Sequence, residues 1–133
     1  MDNVVADTNV VIWYFTDPTK LSKSAEKHLD TAASSGAIYV SSITLVELVY
    51  LVEKGKLPQQ ILVLLRDALD DDAAAFRLIE LTREIADEIE NIPRSVVPDM
   101  PDRIIAATAL FLNLPLISSD ADIAKLTSIN TVW

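Results

Sequence analysis

The chain has 133 residues, half of them hydrophobic, which suits one compact domain over residues 1–133 rather than disorder. It has no cysteine and a single histidine, His28, so disulfide frameworks, thiolate metal sites and multi-histidine zinc centres are excluded. A net charge of −9, from 11 basic and 20 acidic residues, argues against a broad phosphate-binding surface, and any contact with nucleic acid must be local.

No basic segment precedes the first apolar run, as a secretory signal would require. The uncharged stretch between Ile104 and Asp120 is broken by Asn113 and Pro115 and is too short for a membrane span. The expectation is a cytoplasmic protein with no membrane segment.

In chain order, Val4 to Ala6 reads as a short buried strand, and a helix can start just after Asp7. Leu21 to Ala33 has apolar residues at helical spacing, with Leu21, Ala25, Leu29 and Ala32 on one face. Ile38 to Val40 is a second strand. Thr44 to Lys54 is a helix closed by Gly55, and Pro58 to Leu69 another with Pro58 in its first turn. Gly36, the other glycine, also stands at a helix end.

Phe76 to Leu81 reads as a third strand and Thr82 to Asn91 as a helix. The segment "IPRSVVPDMP" is a loop punctuated by prolines. Asp102 to Leu112 is a helix apolar almost all round and should be buried. Leu116 to Ser118 is a strand, Asp122 to Leu126 a short helix, and Asn130 to Trp133 an edge strand. Strands that alternate with helices imply an α/β fold with a parallel sheet covered on both faces.

Four acids recur at one kind of place. Asp7 and Asp120 follow strands, Glu47 lies in the first turn of the helix after the second strand, and Asp102 opens the buried helix. In a parallel sheet the carboxyl ends of the strands share one edge, so the topology would bring these distant residues together. Each has a plainer reading. Asp7 is a good helix N-cap, Thr44 and Glu47 spell a capping box, Asp102 suits the positive end of a helix, and Asp120 or Asp122 suits a turn. Taken together, clustered carboxylates would repel unless a cation lay between them.

An oxygen-only cluster fits Mg²⁺ or Mn²⁺ better than zinc. Two such ions, adding four positive charges, would leave the chain acidic at −5. The chemistry supported is hydrolysis of phosphodiesters by activated water, with no nucleophilic side chain needed. No serine near these acids has a histidine in the motif to activate it. His28 lies on a lysine-rich amphipathic helix and reads as a surface or boundary residue.

The segments "VVADTNVVIWYF", "YVSSITLVELVYLVEKGKL", "PDRIIAATALFLNLPLISSDADI" and "INTVW" resemble PIN domains, most of all the VapC-type toxins of toxin–antitoxin modules. The likeness spans nearly the whole chain. It implies a three-layer α/β/α fold with a central parallel sheet, Mg²⁺- or Mn²⁺-dependent endoribonuclease activity, a homodimer, and an antitoxin partner that blocks the site. By motif it implies metal-binding roles for Asp7, Glu47, Asp102 and Asp120, with Asn9 and Ser118 in support.

Where such proteins often carry T-R-D, this chain reads "SSD", so a basic residue beside the fourth acid is missing. The fourth ligand could be Asp120, Asp122 or both. Asp99, three residues before Asp102, is a secondary candidate placed in the loop. Candidate RNA contacts are Arg103, Lys54 and Lys56, and more remotely Lys20, Lys23, Lys27 and Arg94. An ion pair with a nearby acid is an equally good reading of Arg103. Trp13, Tyr14 and Phe15 could stack on bases, but aromatic stripes mostly pack in a core or a dimer contact.

Two other functions fit parts of the pattern. An aspartate-based phosphatase or phosphoacceptor domain needs a second acid beside the first and a lysine after a late strand; here Asn9 takes that place and Lys125 is poorly located. A non-catalytic PIN-like interaction module would not need all four acids.

Overall fold

The computed structural model describes residues 2–133. Its five strands are β1 (Val4–Ala6), β2 (Ile38–Ser41), β3 (Phe76–Ile79), β4 (Leu116–Ile117) and β5 (Thr131–Val132), all parallel, in the order β3-β2-β1-β4-β5. β1 is central: Val4 stands opposite Ile38 and Val5 opposite Tyr39 on one side, Val5 opposite Leu116 and Ala6 opposite Ile117 on the other. All three of its residues are buried, as a strand covered on both faces requires. The chain builds outward from β1 to β3, then returns to build β4 and β5 on the opposite side. The reversal lies between β1 and β4, where parallel sheets open a crevice at their carboxyl ends.

Strand alternation divides the core in two. Val4, Ala6, Ile38, Val40 and Ile117 pack with Val10 and Val11 of α1 (Thr8–Thr16), Leu29 of α2 (Lys23–Ser35), Leu48 of α3 (Ser42–Glu53) and Leu65 of α4 (Gln60–Asp70). Val5 and Leu116 face the other way, toward Ile85 of α5 (Arg83–Glu88), Ile105 and Ala106 of α6 (Met100–Leu112) and Ile123 of α7 (Ala121–Ala124). The result is the three-layer α/β/α arrangement with its parallel sheet in the middle.

Tyr14 and Phe15 stack edge-on and tilted against Phe76, and Trp13 meets Trp133 at 5.7 Å between ring centroids. This aromatic stripe is core packing rather than a stacking platform.

Several boundaries differ from the sequence expectation, each for a local reason. Ser22 caps α2 through Ala25 N, so the helix starts after Leu21, and Pro18–Lys20 form a separate 3-10 turn. Ser41, not Thr44, caps α3, its hydroxyl accepting from Ile43 N at 3.2 Å. α3 therefore begins two residues earlier, Glu47 falls in its second turn, and no Thr44–Glu47 capping box forms. Pro58 lies outside α4, which starts at Gln60. β3 ends at Ile79, and α5 stops at Glu88 with a 3-10 turn over Ile89–Asn91.

α6 also starts early. Asp99 caps it by accepting from Asp102 N, and Pro101 sits in the first turn, where a missing N–H costs nothing. Its middle, Ile104 to Ala109, is fully buried, but Met100 and Phe111 at its ends are exposed. The helix closes at Asn113 in the left-handed region, φ 53°.

Both glycines do stand at helix ends. Gly55 needs its positive φ of 72°. Gly36 has ordinary extended φ, but a Cβ there would lie 2.3 Å from the Asp2 carbonyl oxygen.

Candidate active site

The four acids singled out in the sequence come from four elements that meet at the carboxyl edge of the sheet. Asp7 leaves β1 and caps α1, with Oδ1 accepting from Thr8 N at 2.8 Å. Its other oxygen accepts from the Ser118 hydroxyl, just past β4, at 2.6 Å. The Ser118 oxygen in turn accepts from Asp120 N at 3.1 Å. Asp120 caps α7, its Oδ1 taking the N–H groups of Asp122 and Ile123 at 2.9 Å each. Every acid of the set is thus both a helix-terminal residue, or one close to a terminus, and a member of one charged neighbourhood.

Glu47 reaches the same place from α3. Its Oε1 accepts from the Thr8 hydroxyl at 2.6 Å, and that hydroxyl also meets Thr44 Oγ1 at 2.9 Å. Thr8 and Thr44 are buried, as are Asp7 and Ser118. Asp102 lies in the first turn of α6, behind its cap Asp99.

Burial pushes the Asp7 carboxyl above the ordinary aspartate range, against the pull of the Ser118 hydroxyl and the Thr8 N–H, and the charges of Asp120 and Asp99 push it further. Glu47 is raised by burial, is pulled back by Thr8, and is raised again by Asp7 and Asp99. Asp102 is raised to about 7, by burial first and then by Asp7, Asp99, Asp120 and Glu47 together. One carboxylate that senses four others defines a concentrated negative site.

Among the described residues, no three acids are already drawn in to enclose an ion. The donor set nonetheless suits a hard cation. It is all oxygen, and several oxygens carry no hydrogen bond among the described residues: Glu47 Oε2, Asp120 Oδ2 and both oxygens of Asp102. Those of Asp7 accept one bond each and keep a further lone pair. A cavity of about 340 Å³, lined by Asn3, Lys27, His28 and Pro115 among others, lies at the opposite, amino edge of the sheet, away from these acids.

The remaining candidates separate. Asn9 is exposed in the first turn of α1. Asp122 faces Lys125, with 3.2 Å between Oδ1 and Nζ, and is not among the charges that raise Asp7, Glu47 or Asp102. Arg103 makes no ion pair among the described residues. Its Nε and Nη2 donate to the carbonyls of Ile92 and Ile89, at 3.1 and 3.0 Å, which corrects the ion-pair reading. Lys54 and Lys56 are exposed at the end of α3, with Lys54 Nζ 5.0 Å from the Tyr50 ring centroid.

Sequence reading missed Thr8 and Thr44, and placed Asp99 in a loop. Thr44 was hidden by its match to a capping box. Thr8 carried no signal beyond its place between Asp7 and Asn9. Asp99 had one, since Asp-x-Pro before a helical run marks an N-cap and first turn.

A doubly covered parallel sheet with an oxygen-only acid cluster at its switch point defines a class of α/β protein built to act at a carboxyl edge. The chain belongs to the PIN domain family, whose model matches residues 4–128. It is 29% identical over 120 residues to Ribonuclease VapC22 of Mycobacterium tuberculosis, covering 90% of this chain and 88% of that protein.

Its fold is shared with VapBC2 from Rickettsia felis, solved bound to a DNA fragment from their promoter: TM-score 0.74, 19% identity, 97% of this chain and 96% of that one. It is shared too with a toxin-antitoxin complex from Klebsiella pneumoniae, at TM-score 0.65 and 23% identity over 95% and 94% of the two chains. No helix among the described residues is long and apolar enough to cross a membrane.

Proposed function

We propose that the chain is a metal-dependent endoribonuclease, the toxin of a toxin–antitoxin pair, which hydrolyses RNA to 5′-phosphate and 3′-hydroxyl ends. Asp7, Glu47, Asp102 and Asp120 would hold Mg²⁺ or Mn²⁺. The observation that carries this is the convergence of the acids at one sheet edge. There Ser118 joins Asp7 to Asp120 and Thr8 joins Asp7 to Glu47, and burial and then the charges of Asp7, Asp99, Asp120 and Glu47 raise the Asp102 carboxyl. That repulsion is a cost in the empty fold and is removed by a cation. When bound, the cation lowers the pKa of a water and offsets charge on the phosphodiester.

The protein's own groups orient the acids. Ser118 holds Asp7, and the Asp7 and Asp120 carboxylates are fixed at helix N-termini by backbone N–H donors. Asn9, exposed two residues after Asp7, stands free to hold water or substrate. Asp122 is turned to Lys125, so Asp120 is the fourth ligand in this reading. Lys54 and Lys56 are free to meet the RNA backbone. Arg103 has two donors committed to carbonyls.

The named relative is a ribonuclease, and a neighbouring fold comes from a toxin-antitoxin complex. These support an RNA substrate and an antitoxin partner. In this reading the chain acts as a homodimer in the cytoplasm. A phosphatase reading gains nothing, because Lys125 is paired with Asp122 on the surface.

The test is cleavage of an RNA pool by purified protein with Mg²⁺, with chelator, and with Asp7→Asn. Cleavage by the wild type with Mg²⁺ alone is expected, and mapping the new 5′ ends would identify the target. An Asp7→Asn protein that cuts at the wild-type rate would overturn the assignment. A wild type that never cuts would leave the interaction module.

A further inference from the structure

We propose that Thr8 is a positioning residue for Glu47, and that Thr44 sets the direction in which the Thr8 hydroxyl points. This rests on the reading of Glu47 as a cation ligand. Thr8 Oγ1 lies 2.6 Å from Glu47 Oε1 and 2.9 Å from Thr44 Oγ1, and both threonines are buried.

A hydroxyl has one proton to give. A carboxylate that holds a cation is ionised and can only accept, so the Thr8 proton goes to Glu47. The contact with Thr44 must then run the other way, with Thr44 donating to Thr8. The three groups form a one-way chain, Thr44 to Thr8 to Glu47.

The placement explains what the chain does. Thr44 and Glu47 are three residues apart and share a face of α3, whereas Thr8 is the first residue of α1 and the neighbour of Asp7. One uncharged hydroxyl therefore locks an acid of α3 to the helix that Asp7 caps. It fixes Oε1 against the protein and leaves Oε2 for the site. A lysine or arginine could hold Glu47 as well, but would cancel the charge that a cation needs. A hydroxyl orients the carboxylate without neutralising it.

Groups that orient metal ligands typically govern affinity by about tenfold to a hundredfold. Mn²⁺ binding to metal-free protein, read by electron paramagnetic resonance without RNA, is the measurement. Thr8→Val should weaken binding by about tenfold or more, and Thr8→Ser should restore it to within roughly twofold. Thr44→Val breaks the same buried hydroxyl pair but leaves Glu47 its donor, so its loss should be clearly smaller. Thr8→Ala serves if Thr8→Val does not fold, with thermal unfolding checked for each variant.

If the wild type binds Mn²⁺ and Thr8→Val binds equally well, the positioning role fails while the metal site stands. Equal losses in Thr8→Val and Thr44→Val would make the pair structural only, which also overturns it. A wild type that binds no Mn²⁺ sinks the metal reading and this inference with it.

Discussion

The Ser118 hydroxyl donates to Asp7 Oδ2 at 2.6 Å, joining residues 111 positions apart at the ends of adjacent strands β1 and β4. The same oxygen accepts from Asp120 N, so one buried hydroxyl ties two acids of the site. Ser118→Ala should lower RNA cleavage by about tenfold to a hundredfold, as loss of a ligand's orienting partner typically does. The Ser118 bond holds the Asp7 carboxyl down, so its loss raises that carboxyl further. Because Asp7 must be ionised to hold a cation, the acid limb of the pH–rate profile should move to higher pH. Ser118→Thr keeps the hydroxyl and should keep the profile. An unmoved acid limb in Ser118→Ala would contradict the link.

The acid cluster has a stability signature of its own. Asp102 is raised from 3.8 to about 7 in the fold, so between those pH values the native state binds more protons than the unfolded chain. Stability of the metal-free protein therefore falls through this group as pH rises from about 4 to 7, and the penalty stays above 7. Asp7 and Glu47, also raised, act in the same direction. Asp102→Asn should raise Tm at pH 7.5 in chelator, by about 4 °C for roughly 1 kcal/mol after solvent screening, and should do little at pH 4. Equal Tm changes at both pH values would show that the charge is not the cause.

Cation binding should reverse that penalty. A ligand present at a hundred times its Kd stabilises the native state by about 2.7 kcal/mol, worth roughly 8–10 °C in Tm for a domain of this size. Mn²⁺ or Mg²⁺ should raise Tm at pH 7.5 and much less at pH 5, where Asp102, raised to about 7, is largely protonated. Asp7→Asn should lose most of the rise. A rise of the same size in wild type and Asp7→Asn would place the ion elsewhere.

The strands and the edge on which the acids meet were legible because both follow from alternation. Val4–Ala6 is apolar on both faces and ends at an acid, and with strands and helices alternating along the rest of the chain that pattern fits a central parallel strand. Local competition between capping groups was not legible. Thr44 and Glu47 match a capping box in sequence, yet Ser41 takes the cap and releases Thr44 to meet Thr8, 36 residues away. Arg103 shows the same limit. Its neighbour Asp102 suggests an ion pair, and only the path of the proline loop brings two carbonyls within its reach.

Arg103 Nε and Nη2 donate to Ile92 and Ile89, tying the start of α6 to the 3-10 turn after α5. Arg103 therefore bears on the placing of Asp102 without facing substrate. Its planar fork reaches two carbonyls at once, which the single nitrogen of lysine does not. Arg103→Ala and Arg103→Lys should both lose about 1–3 kcal/mol of stability, measured by denaturant unfolding. RNA binding, measured against salt in the Asp7→Asn background to prevent cleavage, separates this from a phosphate contact. Loss of a phosphate contact lowers the salt slope by about one. The slope should stay unchanged in Arg103→Ala and fall in Lys54→Gln or Lys56→Gln if either lysine meets the backbone. A slope that drops on removing Arg103 would return it to the RNA surface.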